Sequence, residues 1–520
     1  MNRLDIPDEE HIRSSMWVDE AIWGHRLHDE QIPWYIFLEF LNIYFFRHHS
    51  DTNSVFHEET PNAWKYQSAK RLELRHILFN NPFLNAVSLS GKSGVDQWKD
   101  WQAKIAKTAR IGEETIDFSY LQGHFQSFED FCDVVGVLTS SAIGMNRDTR
   151  WSSKFVFPYG EDCLFDDFDV KGRPDRGRRF FGRTGELLYM MLCRSSHRNE
   201  IQEAMSRIFV EPNAMDSRWN LLVKALQPKR EWKDDLGSPV GVGYLPYAEH
   251  PCFDLLAKDW LSILCLRLSE FEKIPHLINL IGFHLLRYQL FVSRQIIDHE
   301  TDFSGIHFVC EIVAAKKTSV REKSWESFQT NNCLSEQAIN VYIASQIDEE
   351  VWNKLQNENQ ITAIETAKTI FQQKFLWDAN DSGATTIDEL RKTLVAQALT
   401  RHGHHFGNIH RVYGREIGLV SRRGTNRLRY APTDSLLKTF LLANVRQRME
   451  LKQFLELLHK RYGLVFGPNE AKQGIKVDFD QTDFESNVQR LEQRLNSLGL
   501  LCRLSDGCAY VLNTCSGEAS

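Results

Sequence analysis

The sequence predicts a mainly α protein of several domains, and three observations carry that expectation. Apolar residues recur at helical spacing through most of the chain, while strand-like patterning is confined to one internal run and to short pairs near the C-terminus. The 520 residues are too many for one core and correspond to about three to four domains of ordinary size. A hydrophobic content of 42% with 12% aromatics supplies well-filled interiors and excludes a disordered chain.

Taken in order, residues 1–126 read as an aromatic-rich helical domain. Pro33 suits the first turn of a helix through WYIFLEFLNIYFFRHH, which is apolar on nearly every face and so belongs in a core. Residues 127–346 read as a helical middle domain with a short strand segment. Ser127 with Asp130 offers an N-cap for FEDFCDVVGVL. FDLLAKDWLSILCL and PHLINLIGFHLLRYQLFVSRQII resemble a packed helical pair, and GIHFVCEIVAA (305–315) is the strand-like run. The polar stretch 347–360 is the expected linker.

Residues 347–432 and 433–520 each repeat one order of elements. In the first, Ile364, Ala367, Phe371 and Phe375 form a helical stripe. Thr386 and Glu389 make a capping box for a second helix, which Gly403 can close. Phe406, Ile409 and Tyr413 mark the apolar side of a short third helix, with Asn408, Arg411 and Arg415 opposite. GLVSR and RLRY then flank Gly424-Thr425-Asn426 as a hairpin. Three helices followed by a hairpin is the order of a winged helix-turn-helix, which makes this a basic winged-helix-like module. In the second, LLKTFLLANV and the Leu451/Phe454/Leu455/Leu458 stripe precede a helix capped by Thr482 and Glu485. Gly499 ends that helix, and a hairpin follows with Asp506-Gly507 at its tip. This ending resembles the recognition helix and wing of many bacterial winged-helix domains.

Charge separates the two modules. Residues 401–430 hold seven arginines, four histidines and a single acid, Glu416, for a net +6 with histidine neutral; the whole chain is −7. Guanidinium groups suit the fork geometry of phosphate, so this window is the candidate nucleic-acid surface, carried by Arg411, Arg415, Arg422, Arg423, Arg427 and Arg429. Residues 476–497 are net −2, and acids at the start of a recognition helix repel phosphate. The second module is therefore expected to dock partners. With the overall pI near 6.3, any contact with nucleic acid must be local. Nothing points to base-specific readout.

No catalytic, metal or cofactor set stands out. Ten scattered cysteines without a C-x-x-C pair give no zinc spacing and fit a reducing cytoplasm. The N-terminus lacks an apolar signal region, and the longest oily stretch, Leu277 to Val292, is too short to span a membrane. The relaxed phosphate-loop match from Ala86 to Ser93 has glycine only at Gly91 and lacks a preceding strand. The histidines His402, His404, His405 and His410 lack a fourth ligand for zinc. Glu161, Asp162, Asp166, Asp167, Asp169 and Lys171 are the residues an alternative reading, a metal-dependent nuclease subunit, would use. A second alternative is a protein-binding regulator without DNA contact.

WGHRLHDEQIPW (23–34), GRTGELLYMML (182–192), GYLPYAEHP (243–251) and YGREIGLVSRRG…RYAPTDSLL (413–437) resemble uncharacterised bacterial proteins encoded with anti-phage defence systems. The resemblance implies a subunit acting on or near foreign DNA beside enzymatic partners such as a helicase, methylase or nuclease; with no catalytic set in view, the expectation is a non-catalytic, cytoplasmic, DNA-associating subunit. It brings no assigned catalytic residues with it.

Overall fold

The computed structural model describes the chain apart from residues 1–2, 8–13, 51–53, 68–71, 112–113, 140–181, 211–217, 237–241, 300–304, 314–316, 423–426, 476–477, 505–506 and 517–520 and the single positions 26, 80 and 381. The acidic cluster from Glu161 to Lys171 lies outside the described residues. The fold is mainly helical.

The N-terminal helices are α1 (Asp19–Trp23), α2 (Pro33–Ser50), α3 (Leu72–Phe79), α4 (Leu84–Ser88), α5 (Gly94–Ile105), α6 (Leu121–His124) and α7 (Phe128–Thr139). A small antiparallel pair, β1 (Arg110–Ile111) and β2 (Glu114–Thr115), sits between α5 and α6. Then come α8 (Thr184–Cys193), α9 (Arg198–Phe209), α10 (Arg218–Ala225), α11 (Pro251–Leu264), α12 (Glu270–Asp298), β3 (Phe308–Val309) and α13 (Ser319–Gln346). The next group is α14 (Glu349–Gln356), α15 (Gln360–Phe375), α16 (Ile387–His404), α17 (Ile409–Glu416), β4 (Val420–Ser421) and β5 (Arg429–Tyr430). The chain finishes with α18 (Asp434–Asn444), β6 (Arg448–Glu450), α19 (Leu451–Tyr462), β7 (Leu464–Val465), α20 (Pro468–Gly474), α21 (Gln481–Ser497), β8 (Leu501–Arg503) and β9 (Ala509–Leu512).

The 29-residue α12 is the central element. Ser269 and Glu272 cap it reciprocally, which satisfies two N-terminal amides that the helix itself leaves open. Around it pack α2, α11, α13, α17 and α18. Gly282 allows the closest approaches: a Cβ there would lie 2.4 Å from Ile417 and 2.8 Å from Pro33, so any side chain would push α17 and α2 away. The buried apolar residues form one main cluster running from Met16 to Val511, through all four expected segments.

Several local expectations need correction. The stretch 347–360 is not a bare linker, because α14 occupies it and buries Trp352 and Leu355. α16 continues through Gly403 to His404. The cap of α21 is Asp480, which accepts from the amides of Thr482 and Asp483, rather than the Thr482/Glu485 pair. Among the described residues of the strand-like run at 305–315, β3 takes two, yet its placement matters. Phe308 N donates to Gly463 O and Cys310 N to Val465 O, making a parallel pair with β7. One residue on, Glu311 N donates to Tyr430 O of β5. This strap therefore runs between the two C-terminal hairpin units and ties them together.

In the second unit β9 lies between β6 and β8, both antiparallel to it. In the first, β4 and β5 form a two-stranded antiparallel pair, with Val420 opposite Tyr430 and Ser421 opposite Arg429.

Candidate nucleic-acid interface

α17 is amphipathic as its spacing predicts. Ile409 and Tyr413 are fully buried against the core, while Arg411 and Arg415, one turn apart, are exposed. The Tyr413 hydroxyl donates to His28 O at 3.0 Å, and His410 Nε2 meets the Tyr430 hydroxyl at 2.7 Å, so the buried side is fixed at both ends. Arg411 donates to Asn408 Oδ1 at 2.9 Å, a neutral partner that leaves its charge uncancelled.

The hairpin is held at its base. The main-chain carbonyl of Tyr430 accepts from Ser324 Oγ of α13 at 2.9 Å, and its hydroxyl accepts from Asn331 Nδ2 at 3.0 Å. Arg422 and Arg427, which lead into the tip, are exposed. Arg427 stacks on Trp325 of α13, 4.3 Å from the ring centroid, a cation–π contact that orients the guanidinium without neutralising it. Arg411, Arg415, Arg422 and Arg427 have no carboxylate partner among the described residues. Arg423 lies outside them.

Arg429 differs. It is 1% exposed, and its guanidinium is bonded to Glu311 of the strap, which is fully buried and also accepts from Arg321 Nε at 2.8 Å. That arginine clamps the hairpin to the strap and is withdrawn from any outward surface. Sequence reasoning included it because strand alternation does not reveal a carboxylate 118 residues away.

The rest of the basic window is also partly engaged internally. Arg401 reaches Glu20 Oε1 at 2.5 Å and Asp19 at 3.4 Å, and His405 Nδ1 meets Asp29 at 2.9 Å. His402 Nδ1 bonds Asp19 Oδ1 at 2.9 Å and its Nε2 meets Ser335 Oγ at 3.0 Å. An acid, a histidine and a serine in that hydrogen-bonded order are the connections of a nucleophilic triad. Here Ser335 is 3% exposed within α13 and His402 fully buried, so no substrate carbonyl can approach. The trio instead fastens α1, α13 and α16 together.

Sequence reasoning also missed a polar cluster joining three of the four phrases quoted above, 23–34, 182–192 and 243–251. Glu39 of α2, 1% exposed, accepts from Gly185 N at 2.7 Å, Arg183 N at 3.2 Å and Gln31 Nε2 at 2.7 Å. Gln31 Oε1 in turn accepts from the amides of Gly182 and Thr184. These side chains satisfy the open amides at the start of α8, so that helix end is closed to an outside anion. Gly185 permits the approach, since a Cβ would fall 2.6 Å from Glu39. Arg183 pairs with Glu186, and His25 Nε2 accepts from Tyr244 N at 2.6 Å.

The phosphate-loop match covers the last residues of α4 and the turn into α5. Ser93 caps α5, and Lys92 Nζ binds Asp100 at 2.7 Å. No group of three or more His, Cys, Asp or Glu able to hold a metal occurs among the described residues, and none of their helices is long and apolar enough to cross a membrane. Compared with protein-family models, curated proteins and solved structures, the chain matches none.

Proposed function

We propose that this chain is a non-catalytic DNA-associating subunit of a bacterial anti-phage defence or DNA-transaction complex, gripping the phosphate backbone through α17 and the β4–β5 hairpin. The observation that carries the reading is the set of exposed guanidiniums at 411, 415, 422 and 427 without carboxylate partners among the described residues. Buffer-facing arginines of this kind release counterions from DNA when they meet phosphate. The run of α15, α16 and α17 into the β4–β5 hairpin supports a winged-helix-like docking mode, with α17 and the hairpin on the DNA side. The second unit, whose sheet runs β6-β9-β8 beside α19, α20 and α21, fits the same architecture. Its role is contact with protein partners such as a helicase, methylase or nuclease of the same system.

The test is a titration of fluorescent duplex at several salt concentrations. Four phosphate contacts give a log–log salt slope of about −3 to −4. The combined Arg411→Ala/Arg415→Ala/Arg422→Ala/Arg427→Ala variant should lose most of the affinity. Salt-independent binding, or equal binding by that variant, would overturn the reading. Capture of protein partners with no affinity for duplex would favour a regulator that binds protein alone.

A further inference from the structure

Away from the arginine surface, a cavity of about 550 Å³ lies between the C-terminal end of α11, the corner joining α18 to β6, and α19. That volume is in the range of small-molecule sites, about 300–1,000 Å³. Leu261, Leu442 and Leu457 give it apolar wall, and Asn444, Arg446 and Arg461 give it polar wall.

The polar groups are set on a buried network. Arg461 is bonded to Asp259, which is fully buried and also accepts from the Tyr462 hydroxyl at 2.8 Å and meets His284 Nε2 at 2.8 Å. The same carboxylate acts on Arg287, 1% exposed and lying over the rings of Phe283 and Tyr462. Asp259 is thus matched by Arg461, and Arg446 adds a second, exposed guanidinium at the cavity. The local balance favours an anion.

Two atoms of the lining residues also want partners. The Asn444 amide nitrogen donates to Phe440 O and to the Tyr462 hydroxyl, both at 2.8 Å, which fixes the amide's orientation and leaves Oδ1 as an acceptor. That Oδ1 and Arg461 Nε are buried with no hydrogen-bond partner in the protein. Atoms left open in this way are available to an ordered water or to a bound molecule.

We propose that this cavity binds a small organic anion: its phosphate or carboxylate meets Arg446 and Arg461, an N–H of the ligand meets Asn444 Oδ1, and an apolar or aromatic body lies along Leu261, Leu442 and Leu457. A nucleoside monophosphate and an N-acyl amino acid share this chemistry, and they differ in the anionic group.

Calorimetric titration of the full chain with adenosine monophosphate, with N-acetylphenylalanine and with inorganic phosphate separates the sources. At least one organic probe is expected to bind with Kd below about 1 mM, and Arg446→Glu to weaken it by about tenfold or more. Asn444→Leu should weaken the same probe, with a melting curve to confirm folding; the exposed Arg446 variant suffices if it does not fold. Tighter binding of the nucleotide assigns a phosphate ligand, and tighter binding of the acyl amino acid assigns a carboxylate. Failure of both probes, equal binding by Arg446→Glu, or phosphate binding as tightly as either organic probe would overturn the proposal.

Discussion

On α17, Arg411 and Arg415 are exposed and lack a carboxylate partner among the described residues, whereas on α21 Arg490 and Arg494 are turned to the chain itself. Arg490 Nε donates to Ile312 O at 3.2 Å, and Arg494 binds Asp434 and the carbonyl of Pro432. Both helices bury one apolar face and precede a hairpin. The difference lies in what each polar face can reach. The strap at 306–312 runs along α21, where the fully buried Asn487 accepts from Ile312 N and donates to Cys310 O and Phe466 O. Asp483 also accepts from Ser319 N at the start of α13. The exposed positions that remain on α21 include Glu485, Gln489 and Gln493, which carry no positive charge. A count of arginines would treat the two helices as variants of one device; their hydrogen-bond partners make one a free cationic face and the other a joint within the fold.

The same division runs through the first hairpin, and breaking it should give the largest effect. Arg429 and Glu311 are both buried, so removing either one breaks a buried ion pair and leaves its partner short of a contact in a desolvated place. Glu311→Ala or Arg429→Ala is expected to cost about 3–5 kcal/mol in urea denaturation. Replacing both by Leu should cost less than the two single changes together, because each single change already breaks the same pair. Arg422→Ala, in water on the same hairpin, should leave the denaturation midpoint unmoved and act only on DNA binding. An Arg429→Ala protein as stable as the parent would return that guanidinium to the surface and erase the distinction.

A smaller effect sharpens the comparison through pH. Burial pushes His410 of α17 down to about 3, and its ring ties that helix to Tyr430 of β5. The unfolded imidazole protonates near 6.5, so below that pH the unfolded chain takes up the proton more readily than the folded one. Stability held by a neutral His410 is therefore complete above pH 6.5 and lost as the pH falls toward 3. By pH 5 the loss from this residue alone is about 2 kcal/mol. His410→Asn should flatten the fall in stability between pH 7 and pH 5, measured as the slope of unfolding free energy rather than its absolute value. An unchanged slope would mean that the ring titrates in water, and that α17 is less firmly seated than its packing implies. α21 has no histidine and no such dependence.

Much of this arrangement was legible in the chain, and the reason is local. The Ser127/Asp130 cap, the Pro33 start, the paired α11 and α12, and the exposed placement of Arg411 and Arg415 each follow from residues within a turn or two of one another. The misses that bear on the arginine surface are long-range. Nothing near Arg429 in sequence announces Glu311, and nothing near Arg401 and His402 announces Asp19 and Glu20. The strap was read as a strand for its β-branched and aromatic residues, and two of them do pair. What could not be read was that its neighbours are β7 and β5, from two units that had been treated as independent domains. The cap of α21 was misplaced by two residues because Asp480 and Thr482 are both competent caps, and the choice between them depends on where the chain enters from the preceding turn.

The smallest expected effect tests whether charge alone makes a DNA surface. Glu485 lies on the exposed side of α21 and accepts from Gln481 Nε2 one turn earlier at 2.8 Å. Glu485→Arg removes an acid and supplies a guanidinium at the position where a recognition helix would meet phosphate. If geometry decides, affinity for duplex at fixed salt should change by no more than about twofold, because a lone cation without neighbours neutralises at most one phosphate. The salt slope should stay where α17 and its hairpin set it. Should this one substitution raise affinity tenfold, the second unit would already be positioned against DNA and held off only by its acids. The contrast between the helices would then be one of charge sign rather than of docking, and the strap contacts of Asn487 and Arg490 would have to coexist with a bound duplex.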